Sequence, residues 1–132
     1  MTLTVEDRLA IADLVNRHGH LTDAGDLDAY RELFTKDVVY DVSDLGYGAL
    51  HGLETVIRTG RALGDANPLA HHVTNVVVTE HADGARALSK GLSIATSGAV
   101  GSVTYDDVVV RTDEGWRISR RTVTARREPL KA

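Results

Sequence analysis

His71-His72-Val73-Thr74-Asn75-Val76-Val77-Val78-Thr79 is where this chain changes its period. β-Branched residues dominate from His72 to Thr79, and such side chains fit a pleated strand better than a helix. Upstream, most apolar residues recur at helical spacing. Downstream they alternate. Helices come first and strands afterwards, a pattern that predicts an α+β fold rather than alternating α/β units.

Working towards the N-terminus, Thr4 with Asp7 reads as a capping box. It predicts a helix carrying Leu9, Ile11, Leu14, Val15, His18 and Leu21, stopped at Gly25. Asp26 then caps a second short helix bearing Leu27, Tyr30, Leu33 and Phe34, and Val38–Val42 reads as a first strand. Gly46, Gly48 and Gly52 mark an irregular loop, and a third helix runs from Leu53 to about Leu63, with Asn67-Pro68 as a break.

Working towards the C-terminus, the Asp83-Gly84 turn signal precedes a strand from Ala85 to Thr96. Ser102 to Thr112 follows, then the turn Asp113-Glu114-Gly115 and a last strand from Trp116 to Ala125. Long strands joined by tight turns predict an antiparallel meander. Its concave face needs covering, and three amphipathic helices are available to cover it.

The bulk composition narrows the function. With 132 residues, 42% of them hydrophobic, the chain predicts one domain spanning 1–132 with its own core. It has no cysteine, which excludes a disulfide framework, a thiolate metal site and a cysteine nucleophile, and fits a reducing cytoplasm. The early charges Glu6, Asp7 and Arg8 predict no signal peptide, and no stretch reads as a membrane span. A net charge of −4 lacks the basic footprint of a nucleic-acid binder. The cluster Arg120, Arg121, Arg126 and Arg127 reads as a solvated strand edge and tail; Arg120 and Arg121 face opposite sides, so the alternative is one pocket arginine, which would suit an anionic substrate or an epoxide-opening triad. There are six histidines, but no H-E-x-x-H and no helical i, i+4 pair, so no metal is expected. Gly46-Tyr47-Gly48 lacks a third glycine at position 51, where His51 stands, and no G-x-S-x-G occurs. No cofactor is predicted.

Three segments resemble a known pattern. The first is Asp23-Ala24-Gly25-Asp26-Leu27-Asp28 with Leu33-Phe34-Thr35-Lys36-Asp37-Val38. The second is His71 to Val78. The third is Tyr105-Asp106-Asp107 with Glu114-Gly115-Trp116-Arg117-Ile118-Ser119-Arg120-Arg121. Together they resemble SnoaL-like proteins of the NTF2-like superfamily, which includes scytalone dehydratase, ketosteroid isomerases, limonene-epoxide hydrolase, polyketide cyclases and dioxygenase β subunits, as well as members without catalysis. The resemblance implies a cone-shaped NTF2-like (cystatin-like) α+β barrel with a strongly curved, mixed or antiparallel sheet. It also implies one small-molecule pocket and a homodimer packed through the outer sheet face. A fold of this kind does not fix the reaction.

Asp23 and His71 are the candidate catalytic pair, because their segments resemble those carrying the active-site aspartate and its partner histidine in scytalone dehydratase. The chemistry has its own logic: a carboxylate bound to one imidazole nitrogen fixes the tautomer and leaves the other nitrogen for substrate. The structural alternatives are a turn aspartate before Gly25 and a hydrogen-bonded histidine at a strand start. Alternation puts His71, Val73 and Asn75 on one face, so Asn75 is expected in the pocket or in a bulge hydrogen bond. His18, on the apolar helix face, either borders the pocket or sits in the core. Tyr40 either orients a substrate oxygen or packs as an amphipathic core residue. Tyr105 shares a face with Asp107 and Val109 and lines either the pocket or the dimer face. Trp116 reads as a core anchor.

The leading functional expectation is a cofactor-independent dehydratase, isomerase or cyclase acting on a small apolar oxygenated substrate such as a polyketide, steroid or terpenoid. The alternatives are a non-catalytic ligand-binding or scaffold dimer and an accessory subunit of an oxygenase. An epoxide hydrolase would need an Asp-Arg-Asp relay, for which Asp106 or Asp107 with Arg120 or Arg121 is the nearest inventory.

Overall fold

The computed structural model describes residues 2–131. Helix α1 (Val5–Ala24) opens on the predicted capping box: the Asp7 N–H donates to Thr4 Oγ1 at 3.0 Å, and the Thr4 N–H donates to Asp7 Oδ2 at 2.9 Å. It ends at Gly25, whose φ of 72° is left-handed and whose N–H turns back to the carbonyls of Leu21 and Thr22. A side chain there would strain the backbone, which is why glycine closes so many helices. The predicted second helix is a single 3-10 stretch, Leu27–Glu32.

Strand β1 (Phe34–Val42) begins earlier than predicted, at Phe34. The glycine-rich stretch read as a loop contains a short strand, β2 (Gly48–His51), paired antiparallel with β1. Helix α2 (Leu53–Leu63) matches its expected limits. Four long strands follow: β3 (Ala70–His81), β4 (Gly84–Ile94), β5 (Val100–Thr112) and β6 (Gly115–Arg126). The six-stranded sheet has the order β2-β1-β6-β5-β4-β3. β3 to β6 form the antiparallel meander, while β1 joins β6 in parallel. The sheet is curved and open, with β2 and β3 at its edges.

The core lies between α1, α2 and the inner sheet face. Ile11, Val15, Phe34, Val38, Ile57, Val109 and Ile118 are all buried there, and each such side chain contributes about 1.5–3 kcal/mol by leaving water. Trp116 is the expected anchor. Its Nε1–H donates to Asp7 Oδ1 at 3.1 Å, and the Arg111 guanidinium lies 4.6 Å above its ring. Arg111 also pairs with Asp7, so one carboxylate ties the start of α1 to the β5–β6 hairpin.

Two bulges decide which side chains face inward. In β3 the register slips between Thr74 and Val77, and Asn75 takes a left-handed φ of 58°. His71 and Val73 point in before the slip, Val76 and Val78 after it. In β6, Ile118 pairs with Val109 but Arg120 pairs with Val108, leaving Ser119 as the extra residue. Trp116 and Ile118 point in before that bulge, Arg121 and Val123 after it.

Candidate active site

A cavity of about 680 Å³ opens between the C-terminal half of α1, the 3-10 stretch, α2 and the inner sheet face. Asp23 and His71 both line it. Asp23 sits in the last turn of α1, and His71 is the second residue of β3. The two elements meet closely because Gly19 has no side chain: a methyl group there would lie 2.6 Å from the His71 carbonyl oxygen. Asp23 Oδ1 is 2.7 Å from His71 Nδ1, and Asp23 Oδ2 accepts from the His71 backbone N–H at 3.0 Å. A carboxylate only accepts, so Nδ1 carries a proton and donates it, and in the neutral ring the lone pair is on Nε2.

His18 is buried beside this pair, with its ring centroid 6.3 Å from that of His71. Tyr30 and Tyr105 lie at 5.6 Å and 5.7 Å, Phe34 and Tyr40 at 6.2 Å and 6.3 Å. Burial, and then the Arg121 and His71 charges, hold its pKa well below the ordinary imidazole value. It is therefore a neutral ring. Its Nε2 is 3.4 Å from the Tyr40 hydroxyl, and its Nδ1 has no partner among the described residues.

Tyr40 and Tyr105 both line the cavity. Tyr105 lies on the inner face, fitted over Gly91, where a methyl group would come within 2.5 Å of its ring. Burial pushes both phenols above their ordinary pKa, so both are protonated donors at neutral pH. Tyr30 is bound to Thr22, whose own hydroxyl donates to the His18 carbonyl at 2.6 Å. Thr22 has one proton, so Tyr30 is the donor in their contact.

Asn75 is not part of the cavity wall. Strict alternation would have turned it inward, but the β3 bulge leaves both Thr74 and Asn75 exposed. Asparagine tolerates the left-handed conformation better than most residues, so its place is a backbone one.

Sequence reasoning missed the centre beneath the cavity. The solvated reading of the arginine cluster fails at one position: Arg121 and Asp107 are each 0% exposed. Arg121 Nε meets Asp107 Oδ1 at 2.7 Å and Nη2 meets Oδ2 at 2.8 Å. Desolvation opposes the charge, but the adjacent Asp107 outweighs it and raises the Arg121 pKa. Arg120, one residue earlier, is exposed and reaches Asp41 at 3.4 Å. The available signal was parity: Asp107 shares a face with Tyr105, so an inward Tyr105 buries a carboxylate that needs a cation.

A family model described as the SnoaL-like domain matches residues 3–122. The chain belongs to the SnoaL-like family. Its fold is the NTF2-like, cystatin-like one seen in solved structures. An NTF2-like protein with a cystatin-like fold from Novosphingobium aromaticivorans is 30% identical, with a TM-score of 0.74 over 92% of this chain and 82% of that one. A second protein from that organism, provisionally described as an aromatic ring hydroxylase, is 31% identical, with a TM-score of 0.75 over 94% and 92%. A third, provisionally described as a scytalone dehydratase, shares the fold at 20% identity, with a TM-score of 0.77 over 97% and 91%. No curated protein matches the chain.

Within this SnoaL-like frame the Asp107–Arg121 pair supplies only one carboxylate to the guanidinium. Asp106 lies on the opposite face and is exposed, so it adds no second carboxylate to an epoxide-opening relay. No helix among the described residues is long and apolar enough to cross a membrane.

Proposed function

We propose that this SnoaL-like chain is a cofactor-independent acid/base enzyme. It works as a dehydratase, isomerase or cyclase on a small, largely apolar, oxygenated molecule of the polyketide, steroid or terpenoid kind. The observation that carries this reading is the double grip of Asp23 on His71 at the cavity wall. A histidine held only for structure would not need its ring and its backbone oriented by one carboxylate. His71 Nε2 takes a proton from a carbon beside a carbonyl, Asp23 stabilises the imidazolium, and the same nitrogen returns the proton to carbon or to a departing hydroxyl. Positioned proton transfer of this kind contributes roughly 10²–10⁴-fold in rate. The remaining wall suits an apolar body, since Leu45, Leu50, Val103 and Val123 line it.

The partner is proposed to be a second copy packed through the outer sheet face. Val77, Leu88, Leu92 and Val100 are exposed there on neighbouring strands.

The enzyme reading is tested by hydrogen–deuterium exchange. A panel of cyclic ketones and hydroxylated aromatic polyketides is incubated with the protein in heavy water, and deuterium at carbon is read by mass spectrometry. Exchange faster than in buffer, for at least one ring ketone, is expected. Exchange no faster than buffer across the panel would contradict the reading.

A further inference from the structure

The loop that joins β1 to β2 carries two large apolar side chains that the core does not use. Leu45 is 41% exposed and Tyr47 is 55% exposed, yet both line the cavity. Tyr30 and Tyr105 are buried and Tyr40 is half-buried, so Tyr47 alone of the four tyrosines stands largely in solvent. Along α1, α2 and the turns that follow them, the exposed cavity residues are small or held in ion pairs. Ala24, Gly25, Gly64 and Ala66 are small, Asp23 holds His71, and Arg61 meets Asp28 at 2.9 Å. Leu92 of β4 is also exposed on the wall, but it lies with Leu88 on the outer sheet face. A single exposed apolar residue needs no explanation. Two on one short loop at a cavity mouth do.

The loop is also held in place. From Ser43 to Tyr47 every residue is exposed, so the loop buries nothing that would fix it. Asp44 fixes it instead. Its Oδ2 accepts from the Ala125 backbone N–H at 2.8 Å and from Arg127 Nη1 at 3.2 Å, and its carbonyl accepts from Arg127 Nη2 at 2.8 Å. The loop is thereby strapped to the end of β6. Within it, the Gly46 N–H donates to the Ser43 carbonyl at 3.0 Å and the Tyr47 N–H to the Val42 carbonyl at 3.2 Å. Gly46 and Gly48 flank Tyr47 with left-handed φ values of 93° and 73°, and a methyl group on either would meet nothing within 4 Å. Glycine is required there by the turn and not by lack of room. The positions of Leu45 and Tyr47 are thus set before any ligand arrives, which lowers the ordering cost of binding. A phenol ring also offers a broad apolar face with few torsions to freeze.

We propose that Tyr47 and Leu45 form an outer subsite at the cavity mouth for the flat apolar end of an elongated fused-ring ligand whose oxygenated end lies deeper. The inference rests on the reading of this cavity as the substrate site and names the shape of ligand it takes. Tyr47 and Leu45 touch the ligand. Asp44 is a positioning residue that keeps the loop over the mouth.

Two fluorescent probes with one hydroxyl each test the subsite without turnover: 2-naphthol, with two fused rings, and 1-hydroxypyrene, with four. Tyr47→Ala is expected to weaken 1-hydroxypyrene about tenfold, the order expected for losing one aromatic contact face, and to leave 2-naphthol within about twofold. Tyr47→Phe, which keeps the ring, should bind both probes as the wild type does. Asp44→Ala should weaken 1-hydroxypyrene while sparing 2-naphthol, a split that general loss of structure would not produce. Nitration by tetranitromethane, mapped by peptide mass spectrometry, reads contact directly. Tyr47 should be the fastest tyrosine to react in the empty protein, and bound 1-hydroxypyrene should slow it about fivefold or more, in proportion to occupancy. The same protection is expected in His71→Ala, so failure of the proton-transfer reading leaves this result intact. An absence of saturable 1-hydroxypyrene binding, or affinity unchanged in Tyr47→Ala, would overturn the proposal. So would nitration of Tyr47 unaffected by the bound probe. A Tyr47 already unreactive in the empty protein would also overturn it, by showing the mouth covered by a second copy. Wild-type affinity for 1-hydroxypyrene in Asp44→Ala would overturn the positioning role.

Discussion

Asp23 holds His71 at two points: Oδ1 contacts the ring Nδ1 at 2.7 Å, and Oδ2 accepts from the backbone N–H at 3.0 Å. The two contacts join the end of α1 to the start of β3. Ring tautomer and strand position thus depend on the same carboxylate.

Asp23→Asn separates geometry from charge. An amide keeps the size and one acceptor but cannot stabilise an imidazolium as a carboxylate does. Turnover is expected to fall by about 10²-fold or more, while stability changes by about 1 kcal/mol or less. Steady-state kinetics beside a urea unfolding curve checks both; loss of stability with retained kcat would recast Asp23 as a structural residue.

Gly19→Ala places a methyl group 2.6 Å from the His71 carbonyl oxygen. That neighbour is backbone and cannot swing aside, so α1 must move off β3. Overpacking of this kind costs about 1–3 kcal/mol. The displaced Asp23 should lower kcat as well, although position 19 touches no substrate. An unfolding midpoint and kcat both at wild-type values would contradict the close approach.

Much of this arrangement was legible because it is local. The Thr4–Asp7 box, the Gly25 stop and the limits of α2 follow from neighbouring residues. β2 was not legible: Gly48-Ala49-Leu50-His51 has no strand character of its own and pairs only because β1 offers a free edge. The bulges were the larger loss. One extra residue in β3 and one in β6 reverse the alternation that follows, sending Asn75 out and Arg121 in. Asn75 carried a cue, since asparagine tolerates φ above zero. Ser119 carried none, and only the parity of Asp107 with Tyr105 pointed to a buried cation.

Asp7 predicts the acid limb of stability. The Thr4 N–H, and next the Trp116 indole, hold its carboxyl at about 2, down from 3.8. A carboxyl with a lowered folded pKa stabilises fully above the unfolded value and stops doing so as pH falls through the folded one. Its contribution should therefore disappear between about pH 4 and pH 2. Urea unfolding of Asp7→Asn should show the largest deficit at neutral pH and only a small remainder near pH 2; a deficit independent of pH would place the effect elsewhere.

Leu88→Glu tests the proposed dimer face. Leu88 and its partner Val77 are exposed on adjacent strands, and a charge there would have to be buried if two sheets met. Light scattering after size exclusion should give a dimer for the wild type and a monomer for the variant. A monomeric wild type, or a variant that stays dimeric, would count against the outer sheet face.

The most direct measurement compares wild type with His71→Ala in the exchange of one ring ketone in heavy water, with the melting temperature recorded alongside. His71 lies at the cavity wall rather than in the core, so the melting temperature should move by only a few degrees. Exchange should fall to the buffer rate. Exchange at the wild-type rate in a folded His71→Ala protein would contradict proton transfer by the Asp23–His71 pair.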